Sequence, residues 1–204
     1  KTPKEKFQGD FLLNQSNIGQ TNIGGYISDM KGRFGYSLLA VYNYQNSYDV
    51  DNDNFSELPE SNNFTINPRI FYNINSSTSL MLGNSFTKGN NTGGDMLVID
   101  GKSDSLHTYF EKNLSTRNTS TFEFKKKFAN KSSIELDQSV TSFSRQINTP
   151  GYEFAGVNTN SYTDLSYSFY KQKHTTITGI NIVYDKLNET EIDTLDAETF
   201  TAAA

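Results

Sequence analysis

The sequence predicts an all-β chain: an antiparallel, up-and-down sheet of about nine long strands that forms a portion of a transmembrane β-barrel, with short periplasmic turns and long extracellular loops. Three observations predict it. The first is the stretch Arg33–Tyr48, RFGYSLLAVYNYQNSY. Phe34, Tyr36, Leu38, Ala40, Tyr42 and Tyr44 alternate there with Gly35, Ser37, Leu39, Val41, Asn43 and Gln45. Successive strand residues point to opposite faces, so one face is aromatic and apolar and the other mainly polar. At roughly 3.3 Å per residue, such a stretch crosses a hydrocarbon core of about 30 Å even when tilted. The second is composition: only 34% of 204 residues are hydrophobic, yet Phe (15) and Tyr (12) are plentiful, as expected when one face of each strand meets something apolar. The third is the sorting of the connections, short and long by turns along the chain.

In order, Lys6–Asn14 reads as the first strand and Gln20–Met30 as the second. Lys31-Gly32 is a tight turn, where glycine supplies the positive φ that such hairpins use. The Arg33–Tyr48 strand follows. Asp49–Asn62 is acidic and irregular and reads as a long loop. Asn63–Asn75 resumes alternation with Phe64, Ile66, Pro68, Ile70, Tyr72 and Ile74 in phase, and Phe71 is the one apolar intruder on the opposite face. Pro68 donates nothing to a ladder, so a bulge or a locally unpaired position is expected there. Ser76–Thr78 turns into a strand over Ser79–Asn90. A long loop spans Asn91–Leu114. Strands over Ser115–Phe128 and Ser132–Ile147 flank a turn at Ala129–Lys131. Asn148–Gly156 reads as a third long loop, Val157–Tyr170 as a strand, Lys171–His174 as a turn and Thr175–Leu187 as the ninth strand. Short turns near 31, 77, 130 and 172 thus alternate with long loops near 55, 100 and 152, which places all long loops at one rim. No helical periodicity stands out. Ala202-Ala203-Ala204 reads as placeholder sequence, and an opening on Lys1-Thr2-Pro3-Lys4-Glu5-Lys6 shows no leader, as in a mature or incomplete chain.

Composition narrows the function. With no cysteine, neither a disulfide framework nor a thiolate metal site is available. A net charge of −5 and a pI near 5.1 leave no basic stripe for nucleic acid, and Lys125-Lys126-Lys127 reads as a solvated strand end. No apolar run is long enough for a transmembrane helix, which leaves strands as the way across. Two histidines, no cysteine and no Gly-x-Ser-x-Gly elbow leave a nucleophilic triad without candidates. Gly93-Gly94 is followed by Asp95, so no phosphate-cradling loop is formed there. The expectation is a non-enzyme.

Several segments carry a resemblance. NIGGYISDMKGRFGYSLLAVYNYQ, GGDMLVIDGK followed by HTYFEKNLSTRN, and TPGYEFAG followed by NSYTDLSYSF resemble TonB-dependent outer-membrane receptors of the Bacteroidetes type. The likeness runs over most of the chain, from residue 6 to 190. It implies a barrel of about 22 strands with an N-terminal plug, of which residues 1–204 would be a portion without the plug. It further implies a Gram-negative outer membrane, contact with TonB through that plug, and import of a scarce, bulky solute such as a ferric siderophore, haem or cobalamin. A surface lipoprotein or larger complex is a further partner.

Two constellations stand out. Asp49, Asp51, Asp53, Glu57 and Glu60 occupy positions 1, 3, 5, 9 and 12 of a calcium-type loop, with the Phe55 carbonyl at position 7. Asn54 stands where such loops carry glycine, and asparagine accepts the left-handed conformation better than most residues. The competing reading is a solvated acidic loop. His107, Tyr109, Phe110 and Glu111 in one loop, and Tyr152 and Phe154 in the next, are candidates for solute contact, or for packing of the loops on each other. Arg117 and Arg145 lie near outer strand ends, where they could meet an anionic chelate. His174 reads as an exposed turn residue. Rival readings are a glycan importer on the same barrel, a passive or structural barrel subunit, and a soluble adhesin-like β-sandwich.

Overall fold

The computed structural model describes residues 2–171 and 174–190, and the backbone of 197–203. It is one antiparallel sheet whose strands lie side by side in chain order. The strands are β1 (Gln8–Gln15), β2 (Gln20–Lys31), β3 (Phe34–Gln45), β4 (Glu60–Asn75), β5 (Thr78–Gly94), β6 (Phe110–Lys127), β7 (Ser133–Thr149), β8 (Tyr152–Lys171), β9 (His174–Glu189) and β10 (Ala197–Ala203). Each pairs with its chain neighbour, and among the described residues β1 and β10 do not pair with each other, so the sheet is open.

The expected faces survive pairing, because cross-strand partners share a face. Ile70 stands opposite Leu82, and Leu82 opposite Phe122. A second row runs Phe34, Tyr72, Leu80, Phe124, Leu136, Leu165 and Ile180 across seven strands. The odd-numbered residues of β4 to β7 line the other face, rich in Asn, Ser, Thr and charge. There Thr65 and Thr87 approach to 3.1 Å, and Thr119 and Thr141 to 3.0 Å, as hydroxyl pairs.

Among the described residues no second layer covers the apolar face. The buried hydrophobic ones among them are Met30 and Met81, whereas Phe34 and Ile70 are 49% and 48% exposed. The accessible surface is 13371 Å². A compact water-soluble protein of this 23.0 kDa mass would expose about 9,600 Å². The excess is the uncovered sheet. Phe71, the intruder on the polar face, lines a hollow there with Thr2, Met81 and Glu123.

The structure corrects several boundaries. β3 stops at Gln45, and Tyr48 instead bridges to Leu58 within the loop. The third long loop does not exist: β7 runs to Thr149 and β8 begins at Tyr152, joined by Pro150-Gly151 with Gly151 at φ 76°. Proline followed by a left-handed glycine is a type II turn, tight enough to continue both strands. Short and long connections therefore do not strictly alternate. Both long loops that remain, residues 46–59 and 95–109, still lie at the same rim, together with the short Ser16–Gly19 and Pro150-Gly151 connections. The opposite rim carries the tight turns at Gly32-Arg33 and Ser76-Ser77 and the five-residue turn at 128–132.

Pro68 behaves as its missing N–H requires. The β4–β5 pairing skips from Ile66–Phe86 to Arg69–Gly83 without a change of register, leaving Asn67 and Pro68 locally unpaired on that side rather than forming a bulge. The register shift falls instead between Asn73 and Asn75. A single helical turn, α1 (Met96–Ile99), lies in the second long loop. β10 is an additional strand, and it takes in Ala202 and Ala203, opposite Ile182 and Asn181. Residues 172 and 173 of the expected Lys171–His174 turn lie outside the described residues, and His174 opens β9.

Candidate functional site

The two long loops are built on each other. In residues 46–59 the Asp49 carboxylate accepts the N–H of Asn52 at 2.7 Å and of Asn54 at 2.9 Å. Those N–H groups converge because Asn52 and Asn54 adopt left-handed φ of 62° and 71°, which asparagine accepts at low cost. Glu57 accepts the Val50 N–H at 2.6 Å, and Asp53 that of Phe55 at 2.8 Å. As a result Asp49, Asp51, Asp53 and Glu57 each place an oxygen within 4.8 Å of the others. Glu60 stands apart from them as the first residue of β4. Four hard carboxylate ligands on a loop turned by two left-handed asparagines fit a calcium-sized cation in donor chemistry, though the twelfth-position ligand is displaced.

Residues 95–109 are organised by Asp95, which is only 3% exposed. Its Oδ1 accepts the Leu97 N–H at 2.8 Å and caps α1, while Oδ2 lies 2.6 Å from His107 Nδ1. Asp104 Oδ1 accepts the N–H groups of Leu106 and His107 at 2.8 and 2.9 Å. Burial pushes the Asp95 carboxyl up, but the His107 hydrogen bond and the Leu97 and Val98 N–H groups outweigh it and hold it below the ordinary carboxylate range. The Asp95 hydrogen bond raises His107, against its own desolvation, with the Asp95 and Asp104 charges adding to the rise.

The loops then dock. Asn54 O accepts the Met96 N–H at 2.9 Å, Ser56 N–H donates to Gly94 O at 2.9 Å, and Gly94 N–H donates to Ser56 Oγ at 2.9 Å. Phe55 and Tyr109 meet as a tilted ring pair with centroids 6.0 Å apart. Gly94 takes φ 120°, and a Cβ there would lie 2.7 Å from Tyr109 O.

Beneath the docked loops the polar face holds two adjoining recesses. One, of about 350 Å³, is lined by Phe55, Pro59, Asn91, Tyr109, Glu111 and Asn113. The other, of about 330 Å³, shares Asn91 and Asn113 and adds Thr87, Arg117, Phe143 and Arg145. The Arg117 guanidinium lies 4.6 Å over the Phe143 ring, and Arg145 Nε donates to Asn113 Oδ1 at 3.3 Å. Aromatic rings, amides and two guanidinium groups suit a solute with flat or apolar surface and anionic or hydrogen-bonding edges.

The candidates named from sequence thus separate. Tyr109, Glu111, Arg117 and Arg145 line the recesses. His107 does not; it is a loop-positioning residue acting through Asp95. Phe110 opens β6 opposite Gly94 and shares the apolar face. Tyr152 and Phe154 are strand residues of the polar face, not loop residues, and Phe154 stands in the same cross-strand row as Ile147, Asn113 and Asn91. Sequence reading missed Asn91, Phe143 and the Asp95–His107 pair. Once strand register is known, the odd numbering of Asn91, Asn113, Arg117, Phe143 and Arg145 finds the recess residues. No family model and no curated protein matches the chain.

Proposed function

We propose that the chain is part of the barrel wall of a TonB-dependent receptor in a Gram-negative outer membrane. In this reading it helps import a bulky solute such as a ferric siderophore, haem or cobalamin. The observation that carries it is the single-layer sheet with one uncovered apolar face and one polar face. Uncovered apolar area of this extent is costly in water and favourable against acyl chains. The polar face then borders the lumen, and the docked loops and recesses stand where a solute arrives. TonB would act through a plug domain, and a surface lipoprotein or larger complex would be a further partner. The chain supplies walls and contacts, and no bond-making step is assigned to it. The acidic loop is read as a calcium cradle that stiffens the solute-facing rim. The Phe55–Tyr109 pair favours one alternative solute, a glycan, because the C–H face of a sugar ring packs on aromatic rings.

Titration of the purified full chain in detergent with a ferric chelate, haem, cobalamin and an oligosaccharide tests the loop assignment. Tyr109→Ala and Arg145→Ala should each weaken the one solute that binds. Unchanged affinity in both variants would remove the recesses from the reading.

A further inference from the structure

Cations are concentrated at one rim. Lys31, Arg33, Lys125, Lys126, Lys127 and Lys131 gather at the rim of tight turns, while Asp49, Asp51, Asp53, Glu57, Asp100 and Asp104 lie in the long loops at the other. In a chain of net charge −5, a concentration of cations this local is maintained against the overall composition. A recess of about 500 Å³ lies at its centre, lined by Arg33, Lys125, Lys127, Asn73, Ser77 and Ser79. Lys125 is already neutralised, 3.2 Å from Glu123 and 2.8 Å from Glu135. Arg33 and Lys127 have no carboxylate partner among the described residues.

The walls are fixed rather than loose. Asn73 N–H donates to Arg33 O at 2.7 Å and Lys127 N–H donates to Ser77 O at 2.8 Å, tying both tight turns to neighbouring strands. Asn75 Oδ1 accepts both the N–H and the Oγ–H of Ser77 at 2.9 Å, which sets the second turn. Lys125 and Lys127 rise from the polar face, with Asn73 and Ser79 in the Lys125 row.

We propose that this recess binds a phosphate group, with Arg33 and Lys127 supplying the charge and the Ser79 hydroxyl and Asn73 amide the neutral donors. A guanidinium fork matches two phosphate oxygens, and a lysine adds a point charge beside it. The group is that of a free phosphoryl compound, because the recess opens on the polar face and not on the face assigned to acyl chains. The site lies at the opposite rim from the solute recesses and stands independently of the import reading.

The test is titration of the full chain in detergent, at low ionic strength and pH 7, with inorganic phosphate followed by phosphorus NMR. A parallel arm uses vesicles of phosphatidylglycerol against phosphatidylcholine. Saturable binding is expected, weakened about tenfold by Arg33→Gln or by Lys127→Gln, as loss of one charge-assisted contact implies. Arg33→Lys should recover part of the loss, and Lys102→Gln at the far rim should change nothing. Binding of phosphate supports a free phosphoryl ligand, and binding of phosphatidylglycerol alone would overturn the polar-face site. Equal binding by wild type and the Arg33→Gln/Lys127→Gln double variant overturns the site, as does saturable binding in neither arm. Matching thermal unfolding of the variants, whose changes sit at exposed positions, would separate lost binding from lost fold.

Discussion

Leu165 and Ser166 are chain neighbours on opposite faces of β8, so one substitution made at each asks which face meets lipid. Leu165 stands in an apolar row between Leu136 and Ile180 and is 40% exposed. Ser166 lies between Glu135 and Gly179 on the polar face. If the apolar face is bathed in acyl chains, Leu165→Lys places an ammonium in hydrocarbon, at a cost of about 2–4 kcal/mol near the bilayer midplane. That is a drop of roughly 30- to 700-fold in the folded-to-unfolded ratio. If the face is in water, lysine at a half-exposed site changes stability by only about 0.5 kcal/mol. Ser166→Lys is expected to be neutral or slightly favourable, because Glu135 is its direct cross-strand neighbour. Equilibrium unfolding in urea, with the full chain inserted in lipid vesicles, measures both. Equal losses at the two positions, or a larger one at Ser166, would refute the assignment of faces.

Three further outcomes follow. His107→Gln should loosen residues 95–109, read as faster amide exchange at Leu97 and Leu106. His107 is raised in the folded chain, so its protonated contribution is full below its ordinary value near pH 6.5 and fades as pH climbs through the raised one. The difference between wild type and variant should therefore shrink toward high pH, and a pH-independent difference would contradict the charged pair. Gly94→Ala should cost about 1–3 kcal/mol and separate the docked loops, because the residue is left-handed and its new Cβ meets Tyr109 O. A calorimetric scan showing no loss would refute that placement. Calcium at 10 to 100 times its dissociation constant should raise stability by about 1.4–2.7 kcal/mol, and Asp49→Asn should abolish the gain. The same melting temperature in calcium and in chelator would return residues 49–57 to a plain acidic loop.

The strand phases were legible because alternation depends only on local order: Phe64 to Ile74 and Leu165 to Phe169 keep their face whatever they pair with. Pro68 was legible for the same reason, since its missing donor travels with the residue. The Asn54 conformation was legible from its position in the acidic loop. Pro150-Gly151 carries its own turn chemistry, but the polar Asn148, Thr149 and Glu153 around it resemble loop in sequence although they are the ends of two strands. β10 was not read from its short segment. α1 and the Asp95–His107 pair had no local signature: one helical turn is held by tertiary contacts, and twelve residues separate the two partners. The recess residues lie on different strands, so the register had to be known before Asn91, Arg117 and Phe143 could be placed together.

Bromolipid quenching tests the central claim most directly, since the chain contains no native tryptophan. Ile70→Trp and Phe71→Trp replace adjacent apolar residues on opposite faces, so hydrophobicity is held similar while position changes. Vesicles with brominated acyl chains should quench the indole at position 70 strongly and leave that at position 71 bright. Equal quenching, or none at position 70, would contradict an acyl-facing sheet.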